Sequence, residues 1–207
     1  MVSLDGNGGK IKGRILAAAA DSFSRSGFSG ASTREIASSA GVNEVTIYRH
    51  YPRKRDLYLA VLAQELSRVH LRGDQLQEVA EAADARQALM RVFTLIETAV
   101  LEQPLVLPLI LYGALESATD VDTLLRRHLG EFLAIVARYL EPWIDEGKVV
   151  SQGARETAMA LVSIMVFRQS LRRVFPETAN TANTVGALAD VYTGAFRRSI
   201  GEPAETR

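Results

Sequence analysis

Cysteine is absent from the 207 residues, which excludes a disulfide framework and thiolate metal sites and suits a reducing compartment. Long apolar runs are missing too. The longest stretches, Pro104 to Leu115 and Ala158 to Phe167, fall short of the roughly 18 residues a membrane-spanning helix needs. Met1 to Lys10 contains no apolar segment of the signal-peptide kind, so a cytoplasmic chain without a membrane partner is expected. Histidine is scarce. His70 and His128 stand alone, with no metal-site spacing to another His, Asp or Glu, so neither a metal nor a cofactor is expected. No His/Asp/Ser set, paired carboxylates or glycine-rich phosphate loop appears, and an enzyme is not the expectation. Strand-like alternation and internal repeats are lacking as well, which leaves an all-α chain.

The formal charge is zero, which taken alone argues against a polyanionic partner. Its distribution argues otherwise. Residues 1–60 carry nine Lys/Arg against five Asp/Glu, and residues 61–207 carry fifteen against nineteen. A basic end on an acidic body suits a chain whose one end meets nucleic acid.

The basic end holds two short helical patterns joined by a glycine. Ser32 followed by Glu35 is a capping box that starts a helix. Ile36, Ala37 and Ala40 give that helix a narrow apolar stripe, and Gly41 supplies the backbone freedom to stop it. Asn43 is a second N-cap, Glu44 suits the positive end of a new helix, and Pro52 closes it. At about 100° per residue, Glu44, Val45, Tyr48 and Arg49 share one face while Val42, Ile47 and Tyr51 share the other, with Thr46 at the edge and His50 flanking the inner side. From Val45 through Arg55 no acidic residue occurs, whereas Arg49, Arg53, Lys54 and Arg55 are cationic. Such a surface attracts phosphate. For base edges the chemistry favours Arg34 and Arg49 on guanine, Glu44 on a cytosine amine, and Val45 or the Thr46 methyl on thymine. Glu44 has a rival role as the acidic first residue of a helix.

Gly27-Phe28, Ser32-Thr33, Ile36-Ala37, Ala40-Gly41-Val42, Thr46-Ile47-Tyr48-Arg49-His50-Tyr51 and Lys54 resemble the DNA-binding module of the tetracycline-repressor-type (TetR) family of bacterial regulators. The resemblance covers roughly a quarter of the chain. It implies phosphate contacts by Thr33, Tyr48 and Lys54, and for His50 either a backbone or methyl contact or a turn-capping role. Without the motif, Tyr48 would read as a packing residue, Thr33 as part of a helical first turn and Lys54 as a solvated charge. Two positions depart from the family pattern. Tyr51 stands where Phe is usual and adds a hydroxyl that needs a partner. Arg53 stands where Ser commonly caps the next helix, a loss Asp56 can offset and an opportunity for a further phosphate contact.

Ahead of this module, Ile11, Ile15, Ala18, Ala19 and Phe23 form a bracing helix that ends at Gly27. Beyond it, a long helix is expected from Lys54 through Val69, with a looser continuation past Gly73. Further helices are expected over Ala85–Glu102, Pro104–Ser117, Asp120–Glu146, Ala154–Phe175 and Thr181–Ile200, about nine in all. The expected domains are a helix-turn-helix domain over residues 1–54 and a helical ligand-binding and dimerisation body over residues 55–207.

Polar residues interrupting the apolar helix Met159–Leu171, Gln169 among them, can line a pocket or serve a dimer contact. Tyr112 and Glu116 lie one turn apart, and with Phe93, Trp143 and Met165 they are candidates for lining a cavity. The TetR resemblance implies a homodimer joined through the last two helices and a small-molecule effector. The expected function is repression at a near-palindromic operator, relieved by the effector; the alternative keeps DNA binding but makes the body a dimerisation or interaction scaffold with no inducer.

Overall fold

The computed structural model describes residues 5–69, 71, 73–115, 119–149, 151, 153–171 and 181–199. Among the described residues the regular structure is helical throughout: α1 (Asp5–Gly30), α2 (Thr33–Ala40), α3 (Glu44–His50), α4 (Lys54–Ser67), α5 (Gly73–Ala80), α6 (Ala85–Leu101), α7 (Val106–Leu115), α8 (Thr119–Asp145), α9 (Ala154–Leu171) and α10 (Thr181–Ser199). The segment past Gly73 is a separate helix, α5, which raises the number above the nine expected. No single described helix is long and apolar enough to cross a membrane.

Two compact units emerge, Met1–Val69 with Gln103–His128 and His70–Glu102 with Leu129–Arg207. The first unit therefore takes in α7 and the start of α8 as well as the helix-turn-helix. In this unit α1 packs against α2, α4 and α7. Its core joins Ile15, Phe23, Ile36, Ile47, Leu57, Leu62 and Leu109, so the inward faces expected of α1, α2 and α3 meet in one place. Phe23, Phe28 and Tyr58 form an aromatic trio with centroids 5.1 to 6.2 Å apart. Helix α1 breaks at Gly27, which adopts φ 70° and ψ 178°, a left-side geometry that favours glycine. The Tyr112 ring lies against the same glycine: a β-carbon there would stand 3.1 Å from the ring. Tyr112 is thus a packing partner of α1.

In the second unit α6 packs against α5, α9 and α10. Asp84 caps α6 by accepting from the Gln87 amide at 2.7 Å, as N-cap chemistry predicts. Leu89, Val92, Phe93 and Ile96 of α6 pack with Leu133, Val136 and Leu140 of α8 and with Leu161 and Met165 of α9. Arg86 reaches Asp190 of α10 at 2.5 Å, an exposed ion pair that lowers the carboxyl's affinity for protons through its hydrogen bond and its charge.

Candidate nucleic-acid interface

Local chemistry builds the helix-turn-helix. The Glu35 amide donates to Ser32 Oγ at 3.5 Å, a long cap bond; the reciprocal half of the expected capping box is not among the bonds of the described residues. Gly41 closes α2 in the left-handed region at φ 64°, and the Val42 amide returns to the Ala37 carbonyl at 3.0 Å, the six-to-one bond of a Schellman turn. Asn43 then caps α3, its side chain accepting from the Val45 amide at 3.0 Å. Ile47 is 1% exposed and Tyr51 6%, whereas Val45 is 73% exposed. Tyr48, Arg34 and Arg49 are exposed as well, and Thr33, Glu44, Thr46 and His50 are half-buried. The face read from the 100° period is the outward one.

The cations around this face are less free than their sequence suggests. Arg53 holds Asp56 with two guanidinium bonds at 3.0 and 3.2 Å, and Asp56 also accepts the Arg53 amide at 3.0 Å. Asp56 thereby does the capping that Arg53, lacking an acceptor, cannot do. The Arg53 hydrogen bond, its charge and its amide hold the Asp56 carboxyl below the usual carboxylate range. Arg55 pairs with Asp120 at 3.2 Å. Lys54 sits 4.8 Å from the Phe28 ring centroid and donates to the Ser29 carbonyl at 3.4 Å. Arg34 and Arg49 make no ion pair among the described residues.

Three hydroxyl and carboxylate groups meet between α2 and α3. Thr33 donates to Glu44 Oε1 at 2.6 Å, and Tyr48 Oη lies 3.2 Å from Thr33 Oγ1. At the C-terminal end of α3, His50 Nε2 and Tyr51 Oη are buried without a hydrogen-bond partner, and burial pushes the Tyr51 phenol upward. Two residues escaped the sequence reading. Lys12 stands 5.9 Å from the Tyr51 ring centroid, and the Arg14 guanidinium lies 3.5 Å from where a Gly41 β-carbon would be. Lys12 and Arg14, cations on the two flanks of the Ile11–Ile15 stripe of α1, were the available signal.

The residues expected to line a ligand site are divided between the two units. Phe93 is fully buried in the second unit's core, Trp143 packs at the edge of that core with Lys148 over its ring at 5.3 Å, and Tyr112 belongs to the first unit. Glu116 and His70 lie outside the described residues. Met165 and Gln169 do share a cavity of about 200 Å³, its open mouth included, with Glu97, Val100 and Arg168. Arg168 reaches Glu97 at 3.3 Å across it. Among the described residues no three His, Asp or Glu side chains converge as a metal site.

The sequence profile of the bacterial regulatory proteins of the tetR family matches residues 15–61. The N-terminal module is thus of the TetR type. The HTH-type transcriptional regulator RutR of Escherichia coli is 46% identical over 55 residues, covering 27% of this chain and 26% of RutR. The HTH-type transcriptional activator FasR of Mycolicibacterium smegmatis is 36% identical over 78 residues, 38% of this chain and 35% of FasR. The match thus spans about a quarter to a third of these relatives' length. Solved structures extend the likeness of fold to nearly the whole chain. The hemolysin II transcriptional regulator HlyIIR superposes with a TM-score of 0.64 at 19% identity, over 90% of this chain and 98% of HlyIIR. FadR of Bacillus subtilis, solved with stearoyl-CoA, gives 0.62 at 15% identity over 92% and 98% of the two chains. A putative transcriptional regulator of Saccharomonospora viridis, solved with choline, gives 0.65 at 20% identity over 90% and 95%. The match of the module supports DNA binding at this end of the chain, and the solved structures show a shared fold.

Proposed function

We infer that the protein is a homodimeric repressor that binds a near-palindromic operator and leaves it when a small molecule enters the helical body. One observation carries the reading: α3 turns Val45, Tyr48 and Arg49 outward while burying Ile47. In this reading Thr33, Tyr48, Lys54 and Arg53 hold phosphates and fix the register, and Arg34, Glu44, Val45, Thr46 and Arg49 select bases, with His50 at the margin. Residues 1–54 form the reading domain and residues 55–207 the sensing and dimerising one. A single helix-turn-helix reads few base pairs, so two copies are required, about 34 to 36 Å apart on one side of the duplex.

Exposed apolar side chains on the last two helices support dimerisation there. Met159 and Phe167 of α9 and Val191 of α10 are 50%, 66% and 58% exposed, a costly arrangement for a solitary body. The effector is supported by the ligand-bound structural neighbours. A competing reading, a body with no inducer, draws on the size of the Met165–Gln169 cavity: its enclosed space is about 10 Å³, room for about one water.

Selection of bound DNA from a random pool with the full-length protein tests the reading. Inverted half-sites spaced by about one helical turn are expected; an enriched site without symmetry overturns the dimeric operator. A thermal-shift screen of metabolites, repeated on Met165→Trp to fill the cavity, separates the two readings of the body. A stabilising ligand whose effect the substitution removes supports an inducer, and no shift with any metabolite supports the scaffold.

A further inference from the structure

Thr33 and Tyr48, the two hydroxyls assigned to phosphate, are both committed in the free protein. A threonine hydroxyl has one proton, and Thr33 gives it to Glu44 Oε1 at 2.6 Å. Tyr48 Oη, 3.2 Å from Thr33 Oγ1, must then be the donor of that pair. The result is a chain running from Tyr48 through Thr33 to a carboxylate. A hydrogen bond of this length to an ionised acceptor is among the stronger kinds. A phosphate taking both hydroxyls therefore has to remove the Thr33 proton from Glu44 and then stand beside the carboxylate's charge.

We propose that Glu44 is a specificity-determining gate that withholds Thr33 and Tyr48 from phosphate until a base-edge amino group engages its carboxylate. The proposal rests on the DNA-binding reading above. Glu44 is the first residue of α3, the end of a recognition helix that meets base edges. A cytosine amine in the major groove is a donor a carboxylate can accept. On such a sequence Glu44 exchanges one donor for another, and the two hydroxyls turn to the backbone. On any other sequence the carboxylate stays where it is and opposes the phosphate. A cost imposed on every duplex and relieved on few is discrimination by rejection. Glu44 thus joins base identity to the phosphate contacts of its neighbours.

The test titrates full-length protein with the selected operator and with a scrambled duplex of equal length, for the wild type, Glu44→Gln, Thr33→Val and the double variant. Glu44→Gln is expected to bind scrambled DNA about tenfold more tightly, the equivalent of one hydrogen bond, and to lose selectivity for the operator. In the Thr33→Val background the same change is expected to gain clearly less, because only the carboxylate's charge is relieved and the gated hydroxyl is gone. Unchanged or weaker scrambled binding by Glu44→Gln overturns the gate, and so does an equal gain in the Thr33→Val background, which would mark a bulk charge effect. Glu44→Ala carries the same expectations should Glu44→Gln fail to fold. Wild-type protein that binds neither duplex sinks the DNA-binding reading as well; wild-type binding with Glu44→Gln indistinguishable from it sinks the gate alone.

Discussion

Tyr58 of α4 donates its hydroxyl to the Leu109 carbonyl of α7 at 2.6 Å, inside a core where Tyr58 is only 2% exposed. The bond reaches 51 residues along the chain and fastens α7 to the unit that carries the helix-turn-helix. Tyr58→Phe keeps the ring and its edge contact with Phe23 but deletes this bond. A loss of about 1 kcal/mol is expected, read as a lower urea midpoint with an unchanged slope. An unaltered midpoint would show that the bond contributes nothing to stability.

Tyr51→Phe should act in the opposite direction. The Tyr51 hydroxyl is buried with no partner, and a buried unpaired polar group carries a desolvation cost of about 1–3 kcal/mol. Removing it is expected to stabilise the protein by about 1 kcal/mol, leaving the ring in place beneath Lys12. A lower melting temperature for Tyr51→Phe would mean that the hydroxyl finds a partner in solution.

The Arg53–Asp56 pair predicts an acid dependence. Hydrogen bonding from Arg53 lowers the Asp56 pKa in the folded protein, so the folded state binds a proton here less readily than the unfolded chain. The contribution is therefore complete above the unfolded value of about 3.9 and disappears as pH falls through the lower folded value. Asp56→Asn should melt below the wild type at neutral pH, and the gap should narrow below about pH 4. A gap that stays constant with pH would remove the ionised carboxylate from the explanation.

Phosphate and base contacts separate by their response to sequence. Lys54→Ala should weaken binding similarly on all duplexes and reduce the salt slope by about 1, whereas Arg34→Ala should relax preference at one position at a cost of about 1 to 3 kcal/mol. Quantitative binding to a panel of single-base operator variants at several salt concentrations checks both. Identical behaviour of the two variants would contradict the division of roles.

Much of the reading head was legible because its causes are local. Gly41, Asn43 and Pro52 act within a few residues of where they stand, and a 3.6-residue period places Ile47 inside and Val45 outside with no knowledge of the rest of the chain. Pairing across the chain was not legible. Asp120 meets Arg55 from 65 residues away, so the run of cations read as free is partly neutralised by a tertiary contact. Tyr112 shows the same limit: its apolar surroundings suited a cavity, yet what lies opposite it is Gly27, and no pattern within α7 encodes that neighbour. Phe93, offered as a cavity-lining candidate, packs instead in the core of the second unit, and composition alone does not distinguish a packed core from a pocket wall.

The central claim is that the outer face of α3 enters DNA, and the lack of any cysteine makes it directly measurable. Val45→Cys places a single thiol in the chain, at a position 73% exposed. The rate of its alkylation is measured on the free protein and at saturating operator DNA. Rapid modification of the free protein and strong protection in the complex are predicted; equal rates in both would contradict the account.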